Sequence, residues 1–271
     1  MSIRSSLLTI VALQLFAVCL LATVPRAALA ETCDDAIDTN RPSFMESPLI
    51  VPPLSLQLEN GTGFVGYRGN QATAGIKSTY DIPETQVRIG IFDKTEFQVY
   101  VPNYFLIHSP GDNTAYVSDI TDLGIKTHLG KENAKFNVAV VAGMLLPTGS
   151  RFIWGSGVEP VVRIPWGYNL NSKWAIEGQQ SLHVINGGRD VQWEPDALVS
   201  RSIGSKAGVF IEYYGIITHG EAPENIIHFG AVYKVTHNQQ FDVDFGFGMN
   251  KAAPSAFVGA GYSFRLCRAH K

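Results

Sequence analysis

The sequence predicts an all-β protein, a transmembrane antiparallel up-and-down β-barrel of about 12 strands with both termini periplasmic. Three observations carry that prediction. The chain begins with an export leader; the rest of it alternates apolar and polar residues in units of about ten; and the breaks between units alternate between tight and longer. Residues 139–149, AVVAGMLLPTG, and the late run SAFVGAGYSFRL are apolar enough for a core, yet glycine-laced and too short for a membrane helix.

Residues 1–30 read as a secretory signal peptide. Arg4 supplies the positive start, Leu7 to Leu21 are almost wholly apolar, and Ala28-Leu29-Ala30 places cleavage after Ala30. A membrane anchor is the alternative, but its apolar run falls short of the roughly twenty residues a spanning helix needs. Neither Cys19 nor Cys33 follows a lipobox. Losing Arg4 and Arg26 with the leader leaves 19 basic and 24 acidic residues, a formal charge of −5. No basic cluster stands out, so nucleic acid is not an expected partner. Mean hydropathy near zero excludes a helical membrane bundle and suits a barrel, whose alternating residues average out.

Residues 31–53 form a proline-rich lead-in on the periplasmic side. Within NRPSFMESPLIVPP (40–53), Pro42, Pro48, Pro52 and Pro53 forbid both a regular helix and a central strand. The segment is expected to fold into the periplasmic mouth as a plug, with Arg41, Pro42 and Phe44 as its candidate residues and Arg41 meeting inward acids. An ordinary ordered lead-in is the alternative.

The barrel is expected over 54–266, with strands at 54–68, 79–92, 95–105, 119–129, 135–146, 159–170, 174–184, 191–203, 208–217, 225–235, 240–249 and 256–266. Side chains alternate faces along a strand. In Phe241–Met249, FDVDFGFGM, the apolar residues Phe241, Val243, Phe245, Phe247 and Met249 therefore oppose Asp242, Asp244, Gly246 and Gly248. Val87, Ile89 and Ile91 likewise oppose Arg88 and Gly90, and Phe97, Val99 and Val101 oppose Gln98 and Tyr100. Gly61, Gly63 and Gly66 blur the first strand. Asp93-Lys94, Gly130–Ala134, Asn171–Lys173, Gly204–Ala207 and Thr236–Gln239 are the tight turns. Gly69–Ser78, Ile107–Ser118, Pro147–Val158 and Thr218–Glu224 are the longer loops, although Asn186–Asp190 and Asn250–Ser255 are short for that end. Aromatics gather near strand ends at Tyr104, Phe105, Trp166, Tyr168, Trp174, Tyr262 and Phe264, as interfacial girdles require. A soluble β-sandwich also alternates; the leader and the aromatics favour the barrel. Residues 267–271 are a tail.

The faces opposite the apolar ones carry the charges. Lumen-facing candidates are Arg88, Glu96, Asp122, Lys126, Arg163, Glu177, Arg201, Glu212, Lys234, Asp242, Asp244 and Arg265, with Glu59 and Glu84 beside them. Isolated buried charges are costly, so these should be paired or wet. Arg88 and Glu96 flank a tight turn and can meet across it; Asp242 and Asp244 are expected near Lys234 and Arg265. Such a set either stiffens and closes the lumen or filters permeants. Cys33 and Cys267 stand near the two ends of the exported chain and form a candidate disulfide. With strands ~4.8 Å apart and tilted ~40°, the wall has a radius of roughly 12 Å, which inward side chains either narrow to a passage for small solutes or close, and which excludes large polymers.

Six stretches in this order resemble one family: TNRPSFMESP (39–48), VPP (51–53) followed by LQLENG (56–61), VRIGIFDKTEFQV (87–99), LPTGS (146–150), SRSIGSKAGVFIEYYG (200–215) and QFDVDFGFGMNKAAPSAFVGAGYSFR (240–265). They are similar to the outer-membrane transporter-like family labelled "putative MetA-pathway of phenol degradation", over nearly the whole exported chain. The resemblance implies a β-barrel of the bacterial outer membrane that helps aromatic compounds enter degradative cells. The departure is CRAHK after the aromatic last strand, where such chains often stop.

The expected function is a channel or transporter for small solutes, not an enzyme, without cofactor or metal. Its partners are outer-membrane lipid, a small-molecule permeant and, during biogenesis, the outer-membrane assembly machinery. A structural or surface-interaction barrel without transport is the alternative. A lipid hydrolase ranks lower. It needs a nucleophilic Ser beside a His at the lipid headgroups. The pairs His108-Ser109 and Ser181-Leu182-His183 fall in a loop and on an inward face. HExxH, CxxC and phosphate-binding glycine loops are absent from the sequence.

Overall fold

The structure, a computed structural model, describes residues 35–68, 75–131, 134–150 and 157–267. The leader, its cleavage point, Cys33 and residues 268–271 lie outside the described residues. Among the described residues there are fourteen strands in chain order: β1 (Leu56–Gly66), β2 (Ser78–Phe92), β3 (Thr95–Val101), β4 (Tyr104–Ser109), β5 (Asp112–Val117), β6 (Ile120–Leu129), β7 (Phe136–Leu146), β8 (Glu159–Asn169), β9 (Trp174–Ile185), β10 (Asp190–Ile203), β11 (Ala207–Thr218), β12 (Glu224–Thr236), β13 (Gln239–Gly248) and β14 (Ala256–Leu266). No helix occurs among the described residues.

Twelve of these strands are staves of one closed antiparallel barrel, and β4 and β5 are not among them. Closure is made by β1, which pairs with β2 on one side and β14 on the other. Leu56 stands opposite Leu266 and Gly66 opposite Ala256, so the first strand starts and the last strand ends at the same rim. Closure leaves the twelve staves no unpaired edge, and each pairs with a neighbour on both sides, which is what crossing hydrocarbon demands.

One expected loop is instead a hairpin. Ile107–Ser118 falls mostly within β4 and β5, which pair from Tyr104 opposite Val117 to Ser109 opposite Asp112. The strand expected at 95–105 is broken at Pro102-Asn103. Proline brings no donor to a ladder, and the Asn103 N–H donates to Ser118 Oγ at 2.8 Å. Beyond the break β4 pairs with Ser78–Ile82 of the 15-residue β2, whose lower part pairs with β3. The hairpin therefore prolongs the wall on the rim opposite the termini.

Burial is inverted relative to a soluble protein. Gln57, Glu59, Gln86, Arg88, Glu96, Gln98, Lys126 and Glu212 are fully buried, whereas Phe241, Val243, Phe245 and Leu182 are about half exposed on the outer wall. Phe136 stacks on Trp166 at 6.4 Å, and Phe241 meets Tyr262 at 4.9 Å, in the aromatic band near the termini's rim. A greasy exterior around a charged interior is a surface for lipid.

Candidate permeation pathway

The interior is not an open tube, because residues 38–53 lie within it. A segment of that composition makes no ladder of its own, so its N–H groups need acceptors elsewhere. The inward carboxylates and amides of the staves supply them. Asn40 N and Arg41 N donate to Glu59 Oε2 at 2.9 and 3.0 Å, and Phe44 N and Met45 N to Glu212 Oε1 at 3.1 and 3.3 Å. Glu46 N reaches Gln179 Oε1 at 2.9 Å, and Val51 N reaches Glu96 Oε2 at 2.6 Å. Close approach is possible because Gly90 lies under the chain: Pro53 bridges to Gly90 in parallel fashion, and a Cβ there would overlap the Pro52 carbonyl oxygen.

The same acids hold the inward cations. Arg88 Nε lies 2.8 Å from Glu96 Oε1 and Arg88 Nη1 2.8 Å from Glu59 Oε1. Lys126 Nζ lies 3.1 Å from Glu96 and 3.4 Å from Glu46, and Arg163 Nη1 joins Glu46 at 3.4 Å and Asp122 at 2.6 Å. Asp122 reaches Arg163 from a bulge: its φ is +52°, and the β6–β7 register shifts between Ile120 and Leu123. Glu46 belongs to the segment, so one charge network spans wall and segment together.

Arg41 is the other tie. Its guanidinium bonds Glu84 on β2 and lies 3.3 Å from Asp242 on β13. It rests in a notch at the closing seam formed by Gly61 and Gly261, which are directly opposite across β1 and β14. A Cβ on either glycine would overlap the guanidinium. Arg41 thus bridges four consecutive staves, β2, β1, β14 and β13. Next to it, Phe44 stacks on Tyr214 at 4.5 Å and packs against His228 at 4.7 Å and Phe257 at 5.5 Å.

Two cavities flank this stretch. One of about 280 Å³, on the termini's side, includes Asp38, Glu177, Lys206 and Lys234 in its lining. The other, about 170 Å³ on the opposite side, is lined by Asp81, Glu84, Tyr100, His228, Asp244 and Phe257 among others. Arg41, Pro42 and Ser43 line both, so those three residues form part of the partition between them.

Most of the positions expected from sequence do face the lumen. Arg88, Glu96, Lys126, Arg163 and Asp122 sit in the network, Glu212 under the segment, and Glu177 and Lys234 on the termini-side cavity. The cations expected for Asp242 and Asp244 are not the ones found. Asp242 meets Arg41, and Asp244 Oδ2 lies 3.4 Å from His228 Nε2, whose Nδ1 is 2.5 Å from Glu212. Arg265 instead donates to the Asp35 carbonyl and to Asn238 Oδ1. Arg201 is not lumen-facing. It shares the outward parity of Trp193 and Val199 on β10, is exposed, and lies 5.2 Å over the Trp174 ring. Cys267 is disulfide-bonded, while Cys33 lies outside the described residues. Ser181 and His183 both face inward; Ser181 Oγ accepts from Gln179, and His183 Nε2 lies 3.3 Å from Glu194. Sequence reasoning missed Glu59, Glu212 and Gln179 as acceptors for the segment's backbone, and the Tyr214, His228 and Phe257 collar. Cross-barrel contacts leave no periodic trace.

Among solved structures, an outer membrane channel from Pseudomonas putida F1 superposes with a TM-score of 0.62 at 12% identity, covering 80% of this chain and 97% of that one. The NanC porin gives 0.52 at 10% identity over 77% of this chain and 98% of its own. The KdgM porin gives 0.50 at 8% over 80% and 99%. Such distant likenesses establish the transmembrane barrel fold. Comparison with curated protein sequences found no match. The family model described as "Putative MetA-pathway of phenol degradation" matches residues 39–266, and the chain belongs to that family.

Proposed function

We propose that the protein is an outer-membrane channel for small solutes carrying an aromatic ring, feeding a degradation pathway, with residues 38–53 as its plug. The observation that carries this reading is the partition. Two cavities on opposite sides of the segment share Arg41, Pro42 and Ser43 in their linings. A barrel built only for strength has no need of paired vestibules. The ring collar at the partition, Phe44 with Tyr214 and Phe257, offers stacking to an aromatic solute. The membership in a family named for phenol degradation supports the same solute class.

In this reading the leader is cleaved after Ala30, the assembly machinery inserts the barrel, and both termini with the tight turns face the periplasm. Cys33 pairs with Cys267, tying the start of the plug segment to the end of the last strand. Plugging results from the docking of Asn40 to Val51 on Glu59, Glu212 and Glu96.

Planar-bilayer conductance with a panel of phenols and aromatic acids tests the function. Wild-type protein should show small currents that these solutes block in a concentration-dependent way, and deletion of residues 39–48 should enlarge them. Folded protein that stays silent in both forms would instead favour a purely structural barrel.

A further inference from the structure

The outer wall presents one charged side chain. Among the described residues, Arg201 is the single Asp, Glu, Lys or Arg on the outward face of the twelve staves; the others on those strands alternate inward. Its guanidinium has no hydrogen bond or ion pair among the described residues and lies 5.2 Å over the Trp174 ring. A charge on the lipid face costs ~2–4 kcal/mol at the midplane and close to nothing at the headgroups. Arg201 stands two residues before the end of β10, beside a tight turn and an interfacial Trp, which sets it at headgroup depth. A guanidinium there matches a phosphate in a bidentate fork, as an ammonium does not.

A groove leads away from it. Strand register places Arg201 opposite Val209, Val209 opposite Ala231, Ala231 opposite Val243 and Val243 opposite Ala260. This row of small and medium side chains lies between two bulkier ones. On the far side Phe229 pairs with Phe245, their rings stacked at 5.2 Å. On the near side Tyr233 pairs with Phe241 and Phe241 with Tyr262. The hollow holds about 640 Å³, with Trp174 and Arg201 at one end and Val243 and Val258 toward the other.

The direction of the row matters. Arg201 is two residues from its strand end, Ala231 five from Thr236 and Ala260 six from Leu266. The row therefore climbs from the rim toward the bilayer centre as it crosses the tilted staves. Four strand spacings give a length of about 19 Å, close to an extended acyl chain.

We propose that this wall binds one glycerophospholipid of the periplasmic leaflet, its phosphate on Arg201 and one acyl chain along Val209, Ala231, Val243 and Val258. The choice of phospholipid rests on the periplasmic placement of the tight turns proposed above. The site needs no participation of the lumen.

Native mass spectrometry of the full chain, extracted from outer membranes in mild detergent, tests this. Wild-type protein should retain one glycerophospholipid. Arg201→Gln should lower its occupancy about fivefold, the worth of one basic contact to a lipid headgroup. Ala231→Phe should fill the groove and lower occupancy comparably with Arg201 intact, while Arg201→Lys should fall between. Both sites face outward, so heat-modifiable electrophoretic mobility should confirm folded barrels. Equal phospholipid retention by all variants would overturn the site. Retention of lipid A in place of phospholipid would overturn it as well. Labelling of Ser205→Cys from outside intact cells reads the orientation separately, and the variants' conductance reads the channel.

Discussion

Arg41→Ala should open the partition. The change removes the bonds to Glu84 and Asp242 and leaves the Asp242 side chain, fully buried, without its cation. Breaking one member of a buried pair costs ~3–5 kcal/mol. Glu84 is 38% exposed and screened by solvent, so its share is small. Water entering the vacated notch further relieves Asp242. A loss of about 2–3 kcal/mol in docking remains, which is roughly a 30- to 150-fold rise in the undocked fraction. The backbone bond from Arg41 N to Glu59 survives, so the barrel itself stays folded. Gly61→Ala serves as the steric counterpart, because the new methyl displaces the guanidinium without altering any charge. Planar-bilayer recording should show longer and more frequent open events for Arg41→Ala, with Gly61→Ala intermediate. A cysteine at Ser43, reacted with a thiol reagent, should label faster in the same order. Wild-type currents and labelling in Arg41→Ala would show that the guanidinium does not hold the partition.

Phe44→Ala should weaken block by aromatic solutes by about 0.5–1.5 kcal/mol, the worth of one ring pair, read as a two- to twelvefold rise in half-blocking concentration. Arg88→Met should lower barrel stability by ~3–5 kcal/mol in urea titrations in lipid vesicles, since Glu59 and Glu96 lose a shared, fully buried cation; an unchanged midpoint would contradict that pairing. Cys267→Ser should abolish the mobility difference between reduced and non-reduced wild-type protein on denaturing gels. A difference that persists would mean that the disulfide does not join Cys33 and Cys267.

Most of the barrel was legible because lipid imposes a period of two on every stave. In β7 to β14 one face is almost uniformly apolar, and the strand limits read from alternation agree closely with the observed pairings. The β4–β5 hairpin was not legible, since beyond the bilayer neither face is committed to lipid and the period loses its cause. Arg201 was misplaced for a different reason. Val191, Trp193, Ala197 and Val199 share its odd parity and face outward; taking charge itself as the mark of inwardness overrode the period. Arg41 illustrates the opposite case. Its composition pointed to an encounter with inward acids, yet which acids depended on seam closure between β1 and β14, more than 190 residues apart.

The reciprocal use of the inward acids limits how this lumen can open. Glu96 holds Arg88, Lys126 and Val51 N at once, and Glu46 holds Lys126 and Arg163 from the segment's side. Withdrawing residues 46–53 would take Glu46 from Lys126 and Arg163 and the Val51 N–H from Glu96 together, leaving each of those buried groups with its wall partners only, a cost that accumulates over three charges. Residues 41–45 are held differently. Arg41 sits between two cavities, and Phe44 and Met45 hang from the single carboxylate of Glu212. Arg41 to Ser43 border both cavities and Phe44 borders one, so this stretch has space into which it can move. In the proposed channel, opening therefore concerns a short hinge between the Glu59 and Gln179 anchors, while residues 46–53 of the plug stay docked on the wall. A solute that stacks on the Phe44 ring beside Tyr214 and Phe257 touches that hinge directly, which couples its passage to the movement of residues 41–45.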